Sequence, residues 1–307
     1  MTGAFLTALF FAANAVCARR AAIHYGGTTG NFLRLLLAVA LLGAWAHAAG
    51  QGIGGGALPW FLLSGAVGFG LGGLTMFHAL PRIGSNLAML IVQCGSAVAA
   101  ALVEWLWLGT RLTTAQVALA ALTLGGVIMG LVGPIASAGA RRAPAFAVGA
   151  MLAAVSAAAQ GGAAVLSRKA FAVVHGQGFF IDGATSAYQR VLGGLAVGTV
   201  ALLFVWFRPE AEGRSASAPE GTPAPVAALP PWTWVVFNTL LGPVFGVTCF
   251  QWALRSTPAG IVQSIVATAP LLTVPIARAL EHSRTTPRYW IGAVLAVLGA
   301  AGLAVAK

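Results

Sequence analysis

Arg34 and Arg190 each lie a turn or two inside an apolar run, in Asn31-Phe32-Leu33-Arg34-Leu35 and Ala187-Tyr188-Gln189-Arg190-Val191. A guanidinium so placed has two uses. It can snorkel to an aqueous face and bind helix-end carbonyls, or it can shape an internal cavity that receives a carboxylate or phosphate. His78, in Thr75-Met76-Phe77-His78-Ala79-Leu80, and Gln251, in Thr248-Cys249-Phe250-Gln251-Trp252-Ala253, are polar marks at matching places of similar segments. His78, as an imidazole, is a candidate for a proton-linked step; an interhelical hydrogen bond is its bland alternative. Gln93 and Gln263 are further amides inside apolar runs, Asn14 marks the first run, and Tyr188 and Trp252 offer an amphipathic wall. Acids are scarce, and Glu104 is the one carboxylate that could couple an ion, with helix-end capping or an ion pair as its equal rival.

What must position these groups is a set of helices in lipid. Charged residues make up 7% of the chain and hydrophobic ones 59%. A soluble domain carries roughly 25% charged residues, so this chain lacks the charge to clothe a water-facing surface. Apolar runs of about 20 residues, enough to span a bilayer as helix, recur at 3–23, 28–48, 58–80, 84–108, 114–134, 145–167, 184–207, 232–253, 258–280 and 287–306. They are continuous rather than alternating, which favours helices over a barrel. Tryptophans near the ends of the runs, such as Trp45, Trp60, Trp105 and Trp232, suit the bilayer interfaces.

The runs form two successive sets. Segment 75–132 overlies 248–305 at an offset of 173, pairing Thr75 with Thr248, Phe77 with Phe250, Arg82 with Arg255, Arg111 with Arg284, Thr113 with Thr286 and Gly126 with Gly299. Arg34 and Arg190 pair at an offset of 156, and a 17-residue insertion in 208–231 reconciles the two registers. Gln93 falls on Val266, about one helical turn from Gln263, so both amides can face one cavity. An odd number of spans per set reverses the polarity of the second, the arrangement of inverted-repeat carriers. We therefore expect an all-α membrane protein with ten transmembrane helices as two inverted five-helix repeats, residues 1–134 and 145–307, joined by a loop at 135–144. Residues 208–231, rich in Pro, Ala, Ser and Glu, read as a long aqueous loop. Pro270 and Pro275 should kink the ninth span.

Several functions are disfavoured. The formal charge is +11, but the basic residues are scattered singly or in pairs at span ends, which suits anionic lipid headgroups and not nucleic acid. Cys17, Cys94 and Cys249 fall inside spans without metal-ligand spacing, so we expect no disulfide, metal or other cofactor. The sequence carries no zincin, hydrolase-elbow, phosphate-loop or dinucleotide motif. No cleavable signal peptide is apparent, since Met1 and Thr2 lead directly into a span.

Read in order, the motifs resemble the drug/metabolite transporter superfamily, specifically its ten-helix EamA-type permeases, over essentially the whole chain. They are Asn14-Ala15-Val16-Cys17-Ala18-Arg19, Arg34, Phe77-His78-Ala79-Leu80, Leu108-Gly109-Thr110-Arg111-Leu112-Thr113, Gly125-Gly126-Val127, Thr268-Ala269-Pro270, Ser283-Arg284-Thr285-Thr286-Pro287 and Gly299. The family usually has Gly-Glu-Arg after the fourth span of each half; here Thr110 and Ser283 replace the Glu. The resemblance implies cytoplasmic termini, a pathway between the halves and transport of small metabolites, often outward.

The expectation is a secondary transporter, not an enzyme, in a bacterial inner membrane. It would move small polar, amino-acid-like solutes by alternating access, with Asn14, Arg34, His78, Gln93, Tyr188, Arg190, Gln251, Trp252 and Gln263 facing the cavity. The alternative is an exporter of cationic drugs, which would want a central acid; an intramembrane enzyme or receptor is a more distant one. Orientation has competing signals. Nine basic residues flank the loops after odd-numbered spans and five the other side, so the positive-inside rule would put the termini outside. The resemblance implies the reverse, and we follow it. A Ser215→Cys variant in intact cells should then react with a membrane-impermeant maleimide added from outside; reaction only after lysis would reverse the orientation.

Overall fold

The computed structural model describes residues 1–83, 85–131, 143–207, 230–274 and 287–306. Every regular element among them is helical: α1 (Thr2–Tyr25), α2 (Gly27–Ala48), α3 (Leu58–Gly65), α4 (Gly73–Ile83), α5 (Ser85–Val103), α6 (Thr114–Leu131), α7 (Ala143–Gly176), α8 (Gly183–Phe207), α9 (Pro231–Thr239), α10 (Val247–Leu254), α11 (Ala259–Val266) and α12 (Pro287–Val305). Among the described residues, eight helical segments are long and apolar enough to cross a membrane. Two shorter apolar helices, Thr2–Ala18 and Ala259–Val274, accompany them. The apolar pattern dictates this outcome, because in hydrocarbon only a helix closes its own backbone hydrogen bonds within one segment. Leu36, Leu41, Val98, Leu102, Val294 and Leu298 are exposed along these rods, as a lipid-facing surface requires.

Among the described residues three spans carry a widened turn, and in one of them, Glu104–Leu108, it lies at the end of the helix, following α5. A π-helical segment, Ala66–Gly72, joins α3 to α4, and another, Leu240–Gly246, joins α9 to α10. Pro243 explains the latter, since it has no N–H for the regular ladder. Ala66–Gly72 contains no proline but has Gly68, Gly70 and Gly72 buried against neighbouring helices. In the ninth apolar run the helix breaks at 267–268, directly before Pro270, where the sequence anticipates a kink. The expected Pro275 kink, Arg284, Thr286 and most of the two long loops (132–142 and 208–229) lie outside the described residues.

The helices pack with small residues at their crossings. α2 lies along α8, burying Leu35, Ala38, Leu42 and Ala46 against Ala187, Tyr188 and Val191. α5 packs on α7 and α11, α1 on α9 and α10, and the α3–α4 rod on α7 and α8. One close seam is α6 on α12. Leu119 faces Gly302, Thr123 faces Gly299, Gly126 faces Ala296 and Gly130 faces Gly292, so the two helices run antiparallel. A Cβ on Gly126 would come 2.5 Å from the Ala296 amide nitrogen, and one on Gly299 would come 2.7 Å from that of Thr123. Such backbone-to-backbone approach is how helices gain contact in lipid, where no hydrophobic force joins them.

Gly126→Leu should therefore pry this seam apart. Overpacking a tight contact costs about 1–3 kcal/mol or more, and the melting temperature of the detergent-solubilised protein should fall by several degrees. Gly125→Leu, at a neighbouring position with open space beside it, should melt close to the parent.

Candidate functional site

A charged group enclosed by the fold belongs to α8. Arg190 is 5% exposed and Gln251, on α10, is fully buried. The Arg190 Nη1–H group points at the Gln251 Oε1 atom across 3.5 Å, a weak contact at the limit of hydrogen bonding. The guanidinium also lies over two aromatic faces, 5.2 Å from the Phe69 centroid and 5.5 Å from that of Phe250. Its Nε–H has no hydrogen-bond partner, and neither has the Gln251 Nε2 amide. Magnitudes decide what this means. Burying an unpaired charge costs several kcal/mol, whereas a cation–π contact returns about 0.5–2 kcal/mol. The rings soften the burial of Arg190 but do not offset it.

The π-helical segment Ala66–Gly72 makes room for this group. A Cβ on Gly65 would overlap the Arg190 carbonyl oxygen, and one on Gly68 would press on its Nη2 atom and on Ala163. Spans three and seven thus meet at glycine, which lets the long arginine turn into the bundle instead of reaching an aqueous face. Widened turns recur at functional sites for this reason: they re-aim the side chains around them. The start of α8 is fixed by Asp182, whose carboxylate accepts from the amides of Ala184 and Thr185 at 2.8 and 2.9 Å and from the Thr185 hydroxyl. Burial works to raise its pKa, yet these donors hold it below the usual carboxylate range.

Arg34 is placed differently. Its Nε–H donates to the Asn31 side-chain oxygen on the same helix at 2.9 Å, and its carbonyl accepts from the Thr239 hydroxyl. Asn14, on α1, lies beside Gly242 of the π-helical segment Leu240–Gly246 with its side-chain oxygen unpartnered. Tyr188 is buried against α2, where its hydroxyl is 3.3 Å from the His47 Nε2 atom. Gln93 and Gln263 are both buried, on α5 and α11. His78 is exposed on α4, and its backbone carbonyl accepts from Arg82. Trp252 is 47% exposed and packs against Gly3 and Gly183. Of the sequence candidates, the described contacts join Arg190 to Gln251. The aromatic partners Phe69 and Phe250 escape a sequence reading, because nothing in an apolar run marks which ring will meet a cation.

Glu104 lies in a separate polar knot. It is 2% exposed and accepts the Arg168 Nε–H at 3.1 Å and the amides of Ala259 and Gly260 at 2.5 and 3.4 Å. Arg168 in turn donates to the Leu254 carbonyl at 3.0 Å. One carboxylate therefore caps α11, neutralises α7 and ties both to the end of α5. The signal for Arg168 was available: a buried carboxylate at a span end needs a cation.

Glu104→Ala would leave the guanidinium and the end of α11 without an acceptor. Breaking one side of a buried pair costs about 3–5 kcal/mol, so the purified variant should melt well below the parent. Glu104→Gln, which keeps one acceptor oxygen, should fall between the two.

With this geometry in view, known proteins can be set beside the chain. The family model described as the EamA-like transporter family matches residues 1–132 and again 147–305. A solved crystal structure superposes with a TM-score of 0.70, covering 99% of this chain and 96% of that one at 20% identity. At that identity it bears on the fold alone. No curated protein matches the sequence significantly. The two successive family matches take in nearly every residue, and with the row of apolar helices they identify the chain as a multi-pass membrane protein belonging to the EamA-like transporter family.

Proposed function

We propose that this protein is a secondary transporter that carries a small polar, amino-acid-like metabolite outward across a bacterial inner membrane by alternating access. Ten spans, arranged as two inverted five-helix repeats, would rock about a site near the bilayer midplane. Contacts that exchange when the halves are exchanged support this arrangement. Gly126 meets Ala296 and Gly292, while Gly299 meets Thr123 and Leu119, each partner displaced by the same 173 residues. The Arg190 carbonyl lies on Gly65 as the Arg34 carbonyl lies on Thr239. Two of the three described π-helical turns, Ala66–Gly72 and Leu240–Gly246, occupy corresponding spans. Because α6 and α12 run antiparallel, a two-fold relating them inverts the direction of one repeat.

The observation that carries the reading is the Arg190–Gln251 pair, an incompletely satisfied polar centre shut away from lipid where spans three, seven and eight meet. Buried polar groups inside a membrane bundle mark substrate paths more often than packing. A cationic drug would meet like charge there, which favours the metabolite reading over the multidrug one. His78 and Glu104 remain the coupling candidates, with the contacts of Glu104 favouring a structural part for it.

Purified protein in liposomes should exchange labelled amino acids across the membrane, and cells carrying it should accumulate the substrate in the medium. Gln251→Ala should slow exchange about tenfold, the loss of one hydrogen bond to a charged group; His78→Ala should slow cellular export. Absence of flux for every amino acid and related metabolite, with export unchanged in both variants, would refute the proposal.

A further inference from the structure

Arg190 poses a charge problem that the described protein does not solve. Glu104 and Asp182 are the acids among the described residues, and their oxygens are engaged by Arg168 and the start of α11, and by Thr185 and Ala184. Neither faces Arg190. We infer that the Nε edge of Arg190 and the Gln251 amide together receive the carboxylate group of the transported solute, which is therefore a carboxylate-bearing organic molecule. The inference rests on the transport reading for its biology but is tested by binding alone.

Three features select this ligand. First, the vacant donors belong together: one guanidinium N–H and one amide N–H group, both buried, both without an acceptor, on side chains already in contact. A guanidinium edge matches the two oxygens of a carboxylate in geometry, and the amide adds a neutral donor. Second, the charge count fits a single negative charge. One arginine neutralises a carboxylate, whereas a phosphate dianion would keep an unmatched charge against Phe69 and Phe250. Third, the guanidinium is flanked by two apolar rings, so a carboxylate borne on an apolar body suits its surroundings better than a strongly hydrated inorganic anion. Arg34 differs on the first point, since Asn31 already supplies its Nε–H with an acceptor.

A carboxylate could also come from a lipid headgroup, as could a phosphate, so the test separates the sources. Full-length protein is placed in nanodiscs of phosphatidylcholine alone or with phosphatidylglycerol, and equilibrium binding is measured for radiolabelled benzoate, benzamide and inorganic phosphate. Saturable benzoate binding, equal in both discs and at least about tenfold tighter than benzamide or phosphate, is the expected result. Arg190→Gln should abolish the preference for benzoate over benzamide, and Arg190→Lys should keep part of it. Melting of each variant shows whether it is folded, and the lysine variant carries the test if the glutamine variant is not. Equal affinity for acid and amide, preference for phosphate, absence of benzoate binding, or binding lost only in phosphatidylglycerol discs would each overturn the inference. Liposome flux of neutral solutes alongside any of these would leave the transporter standing without this ligand.

Discussion

A positive charge with no negative partner among the described residues, held between aromatic rings inside an oily bundle, is the constraint around which the rest of this structure is arranged. Lipid offers neither counter-ions nor water, so every buried polar group must be matched from within or by a visitor. The fold answers this demand completely at one place and incompletely at another. At Glu104 the carboxylate, Arg168 and the start of α11 satisfy one another. At Arg190 an N–H and the neighbouring amide are left open. The first pattern is that of a structural joint. The second is the pattern on which the proposed binding site rests, its remaining partner being the solute.

Glycine connects the two levels of organisation. The seam between α6 and α12 is close because residues without side chains meet residues with small ones, and that closeness fixes how the ends of the two halves dock. The same device at Gly65 and Gly68 lets α8 bring its arginine inward past the widened turn of span three. Packing and chemistry therefore rest on one sequence property, the placement of small residues at crossings. A bundle built of bulkier residues would span the membrane equally well but would hold its polar centre less precisely.

Much of the architecture can be read from the chain unaided. Continuous apolar runs mark the helices because hydrocarbon permits nothing else, and Pro270 marks the break in the ninth run because a prolyl residue disfavours helix before it. The widened turn at Ala66–Gly72 is not legible, since no proline announces it and it answers to helices distant in sequence. Arg190 and Gln251 stand out individually as polar groups in oily surroundings. Their meeting does not, because it depends on how far α8 and α10 are rotated. His78 shows the limit of arguing by equivalence: it aligns with Gln251, yet it is exposed while Gln251 is buried against Arg190. Two matching positions need not share an environment, because each side chain is placed by the helices packed against its own span.

The proposed alternation of access at that buried centre can be tested directly. With Cys17, Cys94 and Cys249 replaced by serine, a cysteine at position 251 is challenged in oriented membranes with a small impermeant thiol reagent from each face. The account predicts slow reaction from either face, never from both at once when a bound solute holds one conformation, and protection by that solute. A thiol inert from both sides, or reachable from the same side under every condition, would contradict it.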